Sequence, residues 1–257
     1  MRESKNFIKF LGTAGARFVM IKQLRASGGV WLCYKSTNIL IDPGPGSLVR
    51  CNSCRPKLDP TTLDAIILTH KHLDHSGDIN VMIEAMTEGG FKKKGVVFVP
   101  ADAQSEQGVI FDYLKQHPKE IKVLDVGDFS VGDVKFSVPL QNLHSVQTYG
   151  LKFFIGKDVI SFISDTKYFE GIINAYKGST LLILNVVFYK HRDEFQHLCL
   201  EDALKIIKKI KPSKAVLTHF GMSILKEKPH YLEEKVRKQL DIDIKFAYDG
   251  LTVDIPT

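Results

Sequence analysis

Residues 64–78 read Asp-Ala-Ile-Ile-Leu-Thr-His70-Lys-His72-Leu-Asp74-His75-Ser-Gly-Asp. An apolar run ends at Thr69, and the next six residues carry three imidazoles and a carboxylate. Side chains two apart on an extended segment point the same way. The spacing therefore predicts His70, His72 and Asp74 along one side of a strand's carboxyl end, with His75 entering a turn before a helix that begins near Ser76. Imidazole with carboxylate suits a borderline divalent ion, zinc first, with manganese or iron as competitors. Structural zinc more often takes Cys, whereas a Cys-free His/Asp set leaves room for water, the catalytic arrangement. The chain has 9 His in 257 residues. Three of them at fixed places within six residues arise by chance at about 4 × 10⁻⁵ per starting position, so coincidence is a poor explanation.

This cluster alone is too small for two ions, and further ligands are expected just after other strands. Leu143-His144-Ser145 follows Val134–Leu140, and Asp165 closes Val159–Ile163. Val-Leu-Thr-His219 repeats the strand–Thr–His ending of Ile-Leu-Thr-His70. Asp165, with two oxygens, could bridge two ions. His117, His191 and His230 have Pro or charged neighbours and read as surface residues. His197, just before an amphipathic helix, is ambiguous from its surroundings alone.

The elements that must hold these residues alternate along the chain. Strands are expected at Phe7–Leu11, Gly29–Tyr34, Asn38–Ile41, Asp64–Leu68, Val96–Val99, Ile121–Leu124, Val134–Val138, Leu151–Ile155, Val159–Ile163, Leu181–Val187, Ala215–Leu217 and Ile244–Ala247. Helical spacing appears at Ile79, Met82, Ile83 and Met86, and again at Leu200, Ala203, Leu204 and Ile207. Lys205, Lys208 and Lys209 take the second helix's other face, which reads as solvated. A third helix is expected near Tyr231–Leu240. Strands this hydrophobic, with helices between them, predict an α/β protein whose sheets are covered by helices.

Composition is that of a globular chain, 44% hydrophobic and 25% charged, which excludes disordered and fibrous classes. No linker divides it, so residues 1–257 read as a single domain. No run of about 18 apolar residues is present, so no membrane span is expected. The opening MRESKNFIKF lacks the long apolar core of a leader, and four cysteines in this length make no disulfide scaffold. A reducing cytoplasm is the expected setting. The net charge of +6 tilts weakly toward anionic ligands.

His70-Lys-His72-Leu-Asp74-His75 resembles the HxHxDH motif of the metallo-β-lactamase-fold hydrolases, and Ile39-Leu-Ile-Asp42-Pro-Gly-Pro-Gly resembles their strand–Asp–Gly element. The resemblance covers nearly the whole chain. It implies an αββα four-layer sandwich, two mixed sheets flanked by helices. It implies two divalent ions, one held by His70, His72 and His144, the other by Asp74, His75 and His219, with Asp165 bridging and Asp42 behind the ligands. The chain is most similar to the ribonuclease Z and small phosphodiesterase branch, through Phe10-Leu-Gly-Thr-Ala-Gly-Ala-Arg and through His197-Leu-Cys-Leu-Glu-Asp-Ala-Leu ahead of Leu217-Thr-His219-Phe. The branch implies that a water shared by the ions attacks phosphorus, that Asp74 holds it and takes its proton, and that His197 protonates the leaving group. Small or cyclic phosphodiesters, or nucleic-acid ends, are the expected substrates. Ribonuclease Z-like RNA processing, or lactone or thioester hydrolysis, is the alternative on the same site. RNA is an expected partner class, no membrane is expected, and a homodimer is compatible with the sequence.

Two features depart from that branch. Only residues 145–164 separate His144 from Asp165, enough for a hairpin and no tRNA-gripping arm. Where the branch has a Glu that orients the catalytic His, this chain has Leu184-Asn185-Val186-Val187, which leaves Glu194 as a candidate. Cys51-Asn-Ser-Cys54 is half of a zinc knuckle and marks a candidate second, structural metal site.

Overall fold

In the computed structural model, residues 6–255 are described. Residues 1–5, the start of the segment read as lacking a leader, and residues 256–257 lie outside them. The first sheet holds β1 (Phe7–Phe10), β2 (Val30–Tyr34), β3 (Thr37–Ile41), β4 (Ala65–Ile67), β5 (Val96–Val99) and β6 (Glu120–Val123). The second holds β7 (Gly127–Val131), β8 (Val134–Val138), β9 (Leu151–Ile155), β10 (Asp158–Ile163), β11 (Leu181–Asn185), β12 (Lys214–Thr218) and β13 (Asp243–Phe246). The last strand, β14 (Thr252–Asp254), returns to pair with β1 and completes two seven-stranded sheets. In both, one half is antiparallel and the other parallel: β3 to β6 run parallel in the first sheet and β10 to β13 in the second.

The alternation of side chains explains the layering. Ile39, Ile41, Ala65, Ile67, Ile183 and Val216 face a core between the sheets. Their neighbours Leu40, Ile66, Leu182, Leu184, Ala215 and Leu217 face outward into two further cores. Strands apolar on both faces must be covered on both. The helices α2 (Ser47–Ser53), α3 (Leu73–Ser76) and α4 (Ile79–Met86) belong to the first half of the chain. The helices α5 (Gly171–Ala175), α6 (Leu200–Ile210), α7 (Met222–Lys226) and α8 (Pro229–Arg237) belong to the second. Met82, Ile83 and Met86 of α4 cover the first sheet, and Ala203, Ile206 and Ile207 of α6 cover the second. A short α1 (Ala16–Ile21) stands apart and is taken up below. The four layers match the expected fold. No helix among the described residues is long and apolar enough to cross a membrane.

The differences have local causes. β7 shows only an edge strand's partial burial around Asp128, and β14 has three residues, so neither carries an apolar run in sequence. The helix expected near Ser76 starts at Leu73, breaks at Gly77–Asp78 and resumes at Ile79. The helix expected near 231–240 is shifted to Pro229–Arg237, since Pro at its start fixes φ for a first turn. Lys205 and Lys209 pair with Glu170 at 3.3 and 2.9 Å at the surface, as a solvated face would.

Phe136 is buried between the sheets with ring centroids 5.3 Å from Phe98, 5.2 Å from Phe129 and 5.4 Å from Phe153. Phe136→Ala should cost about 3–5 kcal/mol in denaturant unfolding. A loss under about 1 kcal/mol would contradict this core assignment.

Candidate metal centre

Asp42, His70, Asp165, Asn185 and His219 all stand at the carboxyl ends of parallel strands β3, β4, β10, β11 and β12. There the chain leaves the sheet and its side chains can converge. Asp42 turns the chain with φ +52° and His219 with φ +60°, a backbone region that Asp tolerates better than most residues. Gly44 is required by proximity, because a Cβ there would lie 2.0 Å from the Ser27 carbonyl oxygen and 2.2 Å from that of Asp74.

His70 and His72 lie on extended chain, but Asp74 and His75 lie inside the helical turn of α3. The expectation that Asp74 continues one face with His70 and His72 is therefore corrected. The turn rotates Asp74 and His75 toward a different neighbour. One group brings together His70, His72 and His144, and His144 Nε2 lies 3.1 Å from His72 Nδ1. A second group brings together Asp74, His75 and His219, and His219 Nε2 lies 3.3 Å from Asp74 Oδ2. Asp165 stands between the two. Its Oδ2 lies 3.9 Å from His70 Nε2 and 3.5 Å from His75 Nε2, and its Oδ1 lies 3.4 Å from His219 Nδ1. His197 Nε2 approaches the same Oδ2 at 3.2 Å.

Hydrogen bonds to the far ring nitrogens orient several imidazoles. His75 Nδ1 donates to Asp42 Oδ2 at 2.9 Å, and His144 Nδ1 donates to the Gln196 carbonyl at 2.9 Å. Asp42 also accepts the Thr69 amide at 2.7 Å and the Thr69 hydroxyl at 2.8 Å, which ties β3 to the ligand-bearing segment. Asn185 Nδ2 donates to Asp165 Oδ1 at 2.8 Å. The sequence reading assigned Thr69 and Asn185 no role, although the repeated Thr–His ending pointed at the first. Glu194, the candidate for orienting His197, pairs with Arg192 at 4.0 Å instead. His197 is instead fixed by edge contacts with the rings of His144 and Phe188.

The electrostatics follow burial and charge. Burial holds His70 well below the ordinary imidazole value, lowers His72, and brings His144 down to about 4. Burial opposes a charged His75 too, but Asp74, Asp42 and Asp165 outweigh it and hold its pKa well above the ordinary value. Burial likewise opposes ionised Asp74 and Asp165, yet His75 and His219 hold both pKa values below the usual carboxylate range. Meanwhile His70 Nε2, His75 Nε2 and both His219 ring nitrogens are buried without a hydrogen-bond partner. Buried ring nitrogens left without hydrogen-bond partners, close to ionised carboxylates, form a donor set that fits divalent metal once the imidazoles are neutral.

Other expected sites behave differently. Among the described residues no group of three His, Cys, Asp or Glu donors includes Cys51 or Cys54. Cys51 lies in the apolar core, where burial pushes its thiol up to about 12, and the Cys54 thiol faces the Cys51 and Pro56 carbonyls. Among the described residues no third donor joins these two thiols. His191 and His230 are exposed as expected, but His117 is half-buried, because its ring packs under Gly90.

A four-layer sandwich with a His/Asp cluster at the strand ends is the architecture of metal-dependent hydrolases of the β-lactamase type. The family profile for the beta-lactamase superfamily domain matches residues 37–220. The chain belongs to this superfamily. It is 29% identical over 256 residues to an uncharacterised protein of Methanocaldococcus jannaschii, covering 96% of this chain and 94% of that one. It is 27% identical over 208 residues to the probable metallo-hydrolase YhfI of Bacillus subtilis, covering 79% and 80%. The crystal structure of YhfI superposes with a TM-score of 0.80, covering 98% of this chain and 100% of that one at 23% identity. A ribonuclease Z of Borrelia garinii is 22% identical, covering 96% of each chain. That alignment runs over 311 residues, more than the 257 of this chain, so the relative carries segments absent here.

Asp42→Asn keeps the side chain's shape and removes its charge. It should weaken metal binding about 10–100-fold in a chelator competition; unchanged affinity would remove Asp42 from the site's support. Metal must displace the proton that the carboxylates hold on His75. Affinity measured by the same competition should therefore rise with pH and still be rising above about pH 6.5, because the His75 pKa is raised, and a flat profile would contradict the ligand set.

Proposed function

We propose that the protein hydrolyses phosphodiesters with two divalent ions, zinc being the first candidate. His70, His72 and His144 would hold one ion and Asp74, His75 and His219 the other, with Asp165 touching both. Bound there, the ions would lower the pKa of a water and neutralise charge on the phosphoryl oxygens. The observation that carries this reading is the convergence of the other six side chains, with His197, around the carboxylate of Asp165.

Each of the chain's own groups has a task. Asp74, on the cleft side of the cluster, orients the attacking water and accepts its proton. His197 gives a proton to the leaving oxygen, and its ring is 17% exposed, open enough to meet a substrate. Asp42 fixes the His75 tautomer, and Asn185 holds Asp165. A basic net charge and the similarity to a ribonuclease Z favour phosphate over lactam or thioester. The segment between His144 and Asp165 supports small substrates, because it holds only the β9–β10 hairpin.

The test compares leaving groups. His197→Ala should slow hydrolysis of a 2′,3′-cyclic nucleotide, whose leaving alkoxide needs a proton, by about 10²–10⁴. Bis(p-nitrophenyl) phosphate, whose phenolate leaves unprotonated, should suffer far less. Equal losses on both, or loss of bound metal in the variant, would remove the proton-donor role.

A further inference from the structure

A cleft of about 350 Å³ opens onto the cluster, lined by His72, Asp74, Asp165 and His197. Arg17, Met20 and Ile21 of α1 line it too, with Leu73 of α3. Ile21 is 67% and Leu73 68% exposed, and Phe18 and Leu24 add further exposed apolar surface on and just after α1. Apolar side chains concentrated at a cleft mark a binding surface more often than chance exposure does. Arg17 is the one Lys or Arg lining the cleft. It has no ion pair or side-chain hydrogen bond among the described residues, whereas the nearby Arg25 donates to Thr13 and Lys71 pairs with Asp102.

The position of α1 is fixed from beneath. The amide of Gly15 donates to the Phe220 carbonyl at 3.0 Å and that of Phe220 to the Thr13 carbonyl at 2.9 Å. A Cβ on Gly15 would meet the His219 carbonyl oxygen at 2.0 Å. The segment leading into α1 is thus seated on the backbone of a residue of the metal cluster, and the apolar wall is held at a set distance from it.

We propose that α1 and Leu73 form the substrate-recognition wall, and that the substrates are phosphodiesters carrying an aromatic or similarly apolar ester group. This rests on the hydrolase reading above. The apolar ester lies against Met20, Ile21 and Leu73, while the Arg17 guanidinium donates to a non-bridging phosphate oxygen. Such a charge-assisted contact orients the phosphorus without taking part in bond breaking.

Two substrates with the same leaving group isolate this wall: phenyl p-nitrophenyl phosphate and methyl p-nitrophenyl phosphate, both releasing p-nitrophenolate. The metal-replete protein should prefer the phenyl ester in kcat/KM by about tenfold. Ile21→Ser with Leu73→Ser, both at exposed positions, should bring the two esters close to parity. Arg17→Ala should raise KM for both esters by about tenfold, with kcat falling less, and Arg17→Lys should restore part of the loss. A wild-type ratio near one, or a ratio unmoved by the double variant, overturns the proposal. Turnover of neither ester defeats the hydrolase reading instead. Calorimetric binding of diphenyl against dimethyl phosphate then decides the wall by itself: tighter diphenyl binding that the double variant abolishes upholds it, and equal binding overturns it.

Discussion

Negative charge buried without water must be compensated, and this constraint shapes the centre of the molecule. Asp42 and Asp165 are buried, and Asp74 lies beside them at the floor of the cleft. Removing a carboxylate from water costs several kcal/mol even after relaxation. Hydrogen bonds answer part of that cost: Asp42 receives three and Asp165 one from Asn185. The remainder is answered by a ring of imidazoles whose free nitrogens face the carboxylates. Protons can fill that role, as the raised pKa of His75 indicates, and divalent ions fill it better because several neutral nitrogens can then bind at once.

The fold delivers these groups by a single device used repeatedly. Parallel strands end at the same level of the sheet, so a polar residue one to three places past each end lands near its counterparts from the next strand. β3 and β4 bring Asp42 and His70 from one half of the chain, and β10 and β12 bring Asp165 and His219 from the other. The cores on both sides of each sheet make those ends rigid. Ligands fixed in this way lose little freedom on binding, which favours tight and selective coordination.

Charge at a distance matters less than charge in place. The lysine-bearing face of α6 engages Glu170 at the surface, and Lys71 is occupied by Asp102. The excess of basic residues therefore does not by itself mark a binding surface. Arg17 differs because it lines the cleft together with His72, Asp74, Asp165 and His197. His197 differs likewise: its neighbours are the rings of His144 and Phe188 and the carboxylate of Asp165.

The candidate donors were legible from residue types alone, because imidazoles and carboxylates so close together in sequence have few other uses, and the repeated Thr–His ending follows strands that any apolar pattern reveals. The layered fold was legible for the same reason, since strands apolar at every position need cover on both faces. Partnership was legible only through the family resemblance, not from spacing. Whether Asp74 sides with His70 or with His219 depends on α3 beginning three residues early, and a helix boundary is set by tertiary contacts as much as by local preference. The ends of Asn185 and Thr69, the isolation of Cys51 in an apolar core and the seating of α1 on His219 involve residues far apart in the chain. Sequence spacing carries no measure of such distances; only the closing of one sheet upon the other supplies it.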